Sequence, residues 1–392
     1  MTATTPRLAA SLDRLGTETA FTVLAKAREL ERGGLDVIHL EIGEPDFDTP
    51  AHITEAGAAA LRGGETHYCP SAGIPEFREA AAEYLSATRG IEVRADEVVV
   101  GNGAKPILFF TILATCDPGD EVIYPDPGFP IYESAIRWAG AVPRPLPLQE
   151  ARDFAFDPAD LEARLGERTK LVILNSPQNP TGGALDVADT AAAAALLASS
   201  GAWVLSDEVY SQMLYEGEFA SVASTGGLRE RTVVLDGLSK TFAMTGWRCG
   251  FAAVPEPLLD PLVRFFVNCT SCVPPFVQHA GIAALRGPMD EPRAMVEEFR
   301  LRRDVVVAGL NELPGVSCRV PRGAFYAFPN VSGVPLPADE LAERLLTEAG
   351  VAVLAGSAFG EGGRDHLRLS YANSPANLAR ALERMGEFLN AL

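Results

Sequence analysis

Short apolar runs, each closed by a turn signal and followed by a helix-forming stretch, recur through the middle of this chain and leave few folds open to it. The runs are EVVVG (97–101), EVIY (121–124), KLVIL (170–174), WVLS (203–206) and TVVL (232–235). Between them lie segments such as DTAAAAALLAS (189–199), too rich in alanine for strands. Strands alternating with helices predict an α/β fold with a mostly parallel sheet covered on both faces. Ligands in such sheets bind beyond the carboxyl ends of strands, so chemistry is expected just after each run.

At 392 residues the chain is too long for one ordinary core and predicts about two domains. The C-terminal third loses the alternating rhythm. Residues 297–312 and 339–349 read as amphipathic helices, and GAFYAF (323–328) and HLRLSY (366–371) as short strands. The expected division is a large domain over residues 46–288 and a smaller α+β domain built from residues 1–45 and 289–392.

Charge and composition exclude several function classes. The net charge of −19 repels phosphate backbones, so nucleic acid is not an expected partner. An anionic ligand must instead be held by locally placed cations and backbone N–H groups. The stretch MTATTPRLAASLDRLG at the N-terminus has no apolar core of signal-peptide length. The charge-free run 265–285 carries Asn268, Pro274, Pro275, Gln278 and His279, so it is not a membrane span. A cytoplasmic enzyme is the expectation. Six cysteines in a chain of this length do not read as a disulfide framework, and Cys269-x-x-Cys272 reads as two small buried side chains rather than a redox pair. No second cysteine pair or histidine cluster points to a metal.

The segments after the runs carry the chemistry. After the first comes Gly101-Asn102-Gly103-Ala104-Lys105-Pro106, where small residues let backbone amides approach an anion at a helix N-terminus, unless it is a plain glycine turn. After the third comes NSPQNPTG (175–182). The fourth is followed by Asp207-Glu208-Val209-Tyr210; an acid at the end of a buried strand must be paired, or it caps the next helix. The fifth is followed by SKTFAMTGWRCG (239–250), in which Lys240 in small, apolar company can serve as a nucleophilic amine and Arg248 offers a planar fork for phosphate.

Taken in order, LEIGEPDFDTP (40–50), THYCPSAGIPEFREA (66–80), NSPQNPTGG (175–183), SDEVY (206–210), SKTFAMTGWRCGF (239–251) and LRLSYA (367–372) resemble the class I aminotransferases of pyridoxal-5'-phosphate (PLP) fold type I, in the subgroup that holds several bacterial aspartate aminotransferases. The resemblance runs from about Leu24 to the C-terminus. It implies the following roles. Lys240 holds the cofactor covalently and later carries the proton between the substrate Cα and the cofactor. Asp207 pairs with the pyridine nitrogen and keeps it protonated, so the ring acts as an electron sink. Tyr210 and Asn179 hydrogen-bond the cofactor's phenolic oxygen, and Phe129 stacks on its ring. Ser239, Arg248 and the amides of Gly103 and Ala104 hold the phosphate. Tyr68 reaches the phosphate of a neighbouring subunit, which implies a homodimer with shared sites. Arg368 clamps the substrate α-carboxylate, and Gly43 lies on a segment that closes over the substrate.

Two positions depart from the resembling pattern. Phe129 stands where a tryptophan or tyrosine is usual, and Ala355 where proline is common. Lys105, counted among the cofactor contacts, sits at the rim of the phosphate loop. In the resembling subgroup a lysine near this position meets the distal carboxylate of aspartate or glutamate, which implies a preference for acidic substrates with 2-oxoglutarate as acceptor; the alternative is a solvated cation. A cation at a helix N-terminus is locally unfavourable, so an anion is expected nearby. The implied reaction is ping-pong transfer of an amino group between an amino acid and a 2-oxo acid. A PLP-dependent lyase or cyclase on the same fold would use the same cofactor residues. An aminotransferase-like transcription regulator is disfavoured by the acidic surface and by the roughly forty residues ahead of the sheet.

Overall fold

The structure, a computed structural model, describes residues 7–392. Residues 1–6, part of the expected small-domain segment and of the stretch read for a signal sequence, lie outside the described residues.

Thirteen strands occur among the described residues: β1 (Ile38–His39), β2 (Val98–Gly101), β3 (Glu121–Asp126), β4 (Val142–Gln149), β5 (Ala155–Phe156), β6 (Thr169–Asn175), β7 (Trp203–Asp207), β8 (Thr232–Gly237), β9 (Gly250–Ala253), β10 (Tyr326–Ala327), β11 (Val351–Ala352), β12 (Leu354–Ala355) and β13 (Leu367–Ser370). Eight of them form one sheet in the order β2-β9-β8-β7-β6-β3-β4-β5. All five apolar runs are strands of this sheet. Pairing is parallel from β8 through β4, while β9 runs antiparallel between β2 and β8, and β5 antiparallel at the edge.

Period-two alternation sends side chains to both faces, and both faces are dry. Val99, Ile173, Leu205 and Val233 pack into one core with the helices Ala104–Thr115 and Glu256–Cys269. Val98, Val100 and Val234 pack into another with Phe77 and Leu85, and Val172 and Val204 into a third with Ala193, Ala194 and Leu197 of the alanine-rich helix Val187–Ser199. The helices that matter for the site are α1 (Thr19–Arg32), α2 (Ala51–Arg62), α3 (Pro75–Arg89), α4 (Ala104–Thr115) and α5 (Ile131–Ala139).

In the C-terminal third, β10, β13 and β12 form a separate antiparallel sheet, and β11 pairs in parallel with β1 near the N-terminus. GAFYAF supplies only the two residues of β10. The expected helices are present as Asp290–Asn311 and Ala338–Thr347. The segment before α1 docks on α5: Arg14 Nε donates to the Arg137 carbonyl at 3.1 Å, and the Ser134 hydroxyl donates to the Gly16 carbonyl at 3.3 Å. The Cys-x-x-Cys pair is not two buried side chains. Cys269 is exposed because the helix ends there, and Cys272 is half-buried. Among the described residues no helix is long and apolar enough to cross a membrane.

Candidate active site

Strand register assembles the site. Asn175 of β6 lies opposite Asp207 of β7, Asp207 opposite Leu235 of β8, Gly237 of β8 opposite Gly250 of β9, and Gly250 opposite Gly101 of β2. Four segments far apart in sequence therefore end along one line. The loops that follow surround a cavity of about 480 Å³. Gly43, Ala104, Lys105, Phe129, Asn179, Asp207, Tyr210, Ser239, Lys240, Arg248 and Arg368 all line it.

Lys240 stands in the short helix Leu238–Thr241 just past β8, and its Nζ donates to the Gly43 carbonyl at 2.5 Å. Desolvation, helped by the nearby Arg368 charge, lowers its ammonium to about 8. A usable fraction of the neutral amine therefore exists near neutral pH. Gly43 is a glycine for a reason of space: a Cβ there would run into the Tyr326 hydroxyl.

Asp207 ends β7 and is buried. Burial raises its carboxyl to about 6, while the Tyr132 hydroxyl, donating to Oδ2 at 2.6 Å, pulls the other way. An acid so placed is poised to meet a cationic ring nitrogen. Asn175 holds the neighbouring backbone, its amide donating to the Asp207 carbonyl at 3.0 Å, while its Oδ1 accepts from the Asn179 amide N–H at 3.1 Å. Tyr210 and Tyr326 share a hydroxyl–hydroxyl hydrogen bond of 2.7 Å. Arg368, on β13, is buried; it donates to Asn179 Oδ1 at 3.3 Å and to the Glu41 carbonyl, and its Nε has no partner.

At the start of α4, Gly103 is the residue before the first turn, with φ of 90°, a conformation that favours glycine. A Cβ on it would strike the Arg248 guanidinium, and one on Gly250 would strike the Gly103–Ala104 backbone. Two glycines thus let a helix N-terminus and an arginine close on the same point, a fitting cradle for a phosphate group. Ala104 lines the cavity, whereas Gly103, an expected phosphate contact, does not.

Two expected residues behave differently. Tyr68 is 89% exposed and does not line the cavity of its own chain. Lys105 already has an anion within the chain: its Nζ donates to Glu18 Oε2 at 2.6 Å and lies 5.3 Å above the Phe129 ring. This supplies the counter-charge expected at that helix start.

Sequence reasoning did not single out Tyr132, Tyr326 or Glu18, all of which line the cavity. Tyr132 closes the motif DPGFPIY and was within reach; nothing local marks Glu18. It also missed the buried support beneath the site, where Arg89 of α3 donates to Glu208 at 2.8 Å and to Ser211 at 2.6 Å, and pairs with Asp236.

Residues 35–385 match the family described as aminotransferase class I and II. The chain belongs to that family. It is 39% identical to an aspartate aminotransferase of Pyrococcus horikoshii over 93% of this chain and 94% of that one. It is 38% identical to aromatic-amino-acid aminotransferase 2 of Thermococcus litoralis over 93% and 95% of the two chains. The crystal structure of the Rhizobium meliloti aspartate aminotransferase superposes with a TM-score of 0.93 at 37% identity, covering 98% of this chain and 99% of that one. This aminotransferase has the PLP fold type I architecture and is PLP-dependent. The residues present fit that cofactor: a nucleophilic amine, a buried acid, a glycine-lined helix N-terminus and an arginine fork bound one cavity. Among the described residues no group of His, Cys, Asp or Glu could hold a metal.

Proposed function

We propose that this aminotransferase moves an amino group between an amino acid and a 2-oxo acid by a ping-pong reaction in which Lys240 is the covalent anchor and proton carrier. The observation that carries the reading is the convergence on one cavity of Asp207 from β7, Arg368 from β13 and Lys240 from the short helix after β8. When bound, PLP supplies an electrophilic carbon that joins to amines and a ring that withdraws the electron pair left at the substrate Cα. Asp207 keeps a proton on the ring nitrogen. Tyr210 and Asn179 would hydrogen-bond the cofactor's phenolic oxygen, and Phe129 would pack on its ring. Ser239, Arg248 and the backbone N–H of Ala104 would hold the phosphate, with Lys105 at the rim; the Gly103 N–H, which donates to the Gly101 carbonyl at 2.7 Å, would have to turn from it to join them. Arg368 would hold the substrate α-carboxylate, and Lys240 Nζ, lining the same cavity, would carry the Cα proton. Gly43 brings its segment close over the substrate.

The reading includes a homodimer in which Tyr68 serves the partner's phosphate site; its full exposure in the single chain supports this. It also includes the division into a cofactor-holding domain over residues 46–288 and a smaller one from residues 1–45 and 289–392, supported by the β1–β11 pairing. A cytoplasmic location is supported by six free cysteines.

The test is half-reaction spectroscopy on the holoenzyme. An amino acid alone should convert the cofactor to its aminated form, and a 2-oxo acid alone should restore it. Product release with no aminated cofactor at any time would assign the protein to a lyase-type reaction instead.

A further inference from the structure

We propose that Glu18 and Lys105 form a specificity gate that turns the side-chain end of this cavity away from a second carboxylate and toward neutral, apolar side chains. The inference rests on the reading of Arg368 as the α-carboxylate anchor.

Four cations line the cavity: Lys105, Lys240, Arg248 and Arg368. In the proposed function the last three are committed, to the covalent link, the phosphate and the α-carboxylate. Lys105 remains, and Glu18 neutralises it at 2.6 Å. Glu18 is no distant surface acid. It lines the cavity, and its charge is felt at Lys240, Tyr326 and Arg368. Glu44 is a second anion lining the cavity; it accepts from the Thr245 hydroxyl and its charge also reaches Lys240. A distal carboxylate entering here would meet one cation already paired and two anions. Like charges brought together in a partly desolvated space discriminate by repulsion rather than by lost contacts.

What remains of the wall suits hydrocarbon. Ala20, Phe21, Ile42 and Leu108 line it, and Phe21 is 59% exposed at a point where a bound side chain could cover it. The gate is also held in place. Glu18 is the residue that precedes α1, and the strap before it is tied to α5 through Arg14 and Gly16. Withdrawing the Glu18 carboxylate from Lys105 therefore cannot be done by moving the backbone freely.

The test uses the PLP-loaded protein and two unreactive carboxylates, maleate and 3-phenylpropionate, titrated by calorimetry. The wild type should bind 3-phenylpropionate at least about tenfold more tightly than maleate. Glu18→Gln keeps the shape, removes the anion and frees Lys105. It should tighten maleate about tenfold and change 3-phenylpropionate less than about twofold, and Glu18→Ser should move the ratio the same way. Cofactor absorbance in each variant reports that it is folded and loaded. In single-turnover amination, phenylalanine should outrun aspartate in the wild type, and the gap should narrow in Glu18→Gln. A wild type that prefers maleate, or a ratio unmoved by both Glu18 variants, overturns the gate. Arg368→Gln should weaken both ligands. If it weakens neither, the anchor reading itself fails and the inference falls with it, a result distinct from any change of ratio at Glu18.

Discussion

The Tyr132 hydroxyl donates a 2.6 Å hydrogen bond to Asp207 Oδ2, and both side chains are buried. The two residues belong to different elements: Tyr132 stands in the first turn of α5 and Asp207 at the end of β7. The bond opposes the effect of burial, which alone would favour the neutral acid.

Tyr132→Phe removes that donor and keeps the ring. The Asp207 carboxyl should then be harder to ionise, so the acid limb of the kcat/KM profile should move to higher pH. The loss should be about tenfold near pH 6 and smaller above pH 8, with the cofactor retained. A pH profile unchanged in shape would remove Tyr132 from this positioning role.

Lys240, lowered to about 8, is mostly protonated at pH 6 and mostly neutral above pH 8. Only the neutral amine attacks a carbonyl. Capture of added PLP by cofactor-free protein should therefore accelerate about tenfold per pH unit between pH 6 and 7 and level off above 8. Borohydride should fix the label to Lys240, as peptide mapping reads. Lys240→Ala should bind PLP without a covalent link and lose catalysis by several orders of magnitude. A label on another lysine would refute the assignment.

Arg89 holds two buried carboxylates, Glu208 and Asp236, at the ends of β7 and β8. Arg89→Met leaves both without a cation, and stability to urea should fall by about 3–5 kcal/mol at pH 8. The pH dependence has a definite sign. Burial raises the Asp236 carboxyl to about 6 even with Arg89 present, and removing the cation raises it further. A raised carboxyl costs stability above its folded pKa, and protonation relieves that cost as pH falls through it. The deficit of the variant should thus be smaller at pH 5 than at pH 8.

Tyr68 and Lys240 should work on opposite sides of a subunit boundary. Tyr68→Ala and Lys240→Ala homodimers are each expected to be weak or dead. After mixing and subunit exchange, one site in each hybrid holds both intact residues, and activity should recover to about a quarter of the wild type. No recovery after exchange verified by native mass spectrometry, or full activity in a sedimenting monomer, would contradict the shared site.

The sheet was legible because burial on both faces forces continuous Val/Ile/Leu runs, a local signal. Three strands of it were not: β4, the two-residue edge strand β5, and β9. β4 is VPRPLPLQ, and proline reads against a strand. Its prolines fall at 143, 145 and 147, every second position, whereas the Val142 N–H donates toward β3, to the Asp120 carbonyl at 2.7 Å. The missing N–H groups therefore all face away from β3, toward the side where only β5 pairs. β9 is four small and aromatic residues, and its antiparallel insertion next to β8 depends on pairing with β2, which is remote in sequence.

The sequence by itself determined the alternating α/β plan, the family resemblance and the residue types gathered at strand ends, because hydrophobic period and motif spelling are local properties of the chain. Only the tertiary structure decided which of those residues meet: Tyr132 with Asp207, Gly43 with Lys240, Asn179 with Arg368, and Glu18 with Lys105. These contacts join positions 75 to 197 residues apart. They are set by strand order, register and the docking of the N-terminal strap on α5, which depend on how whole faces pack and leave no mark at either residue alone.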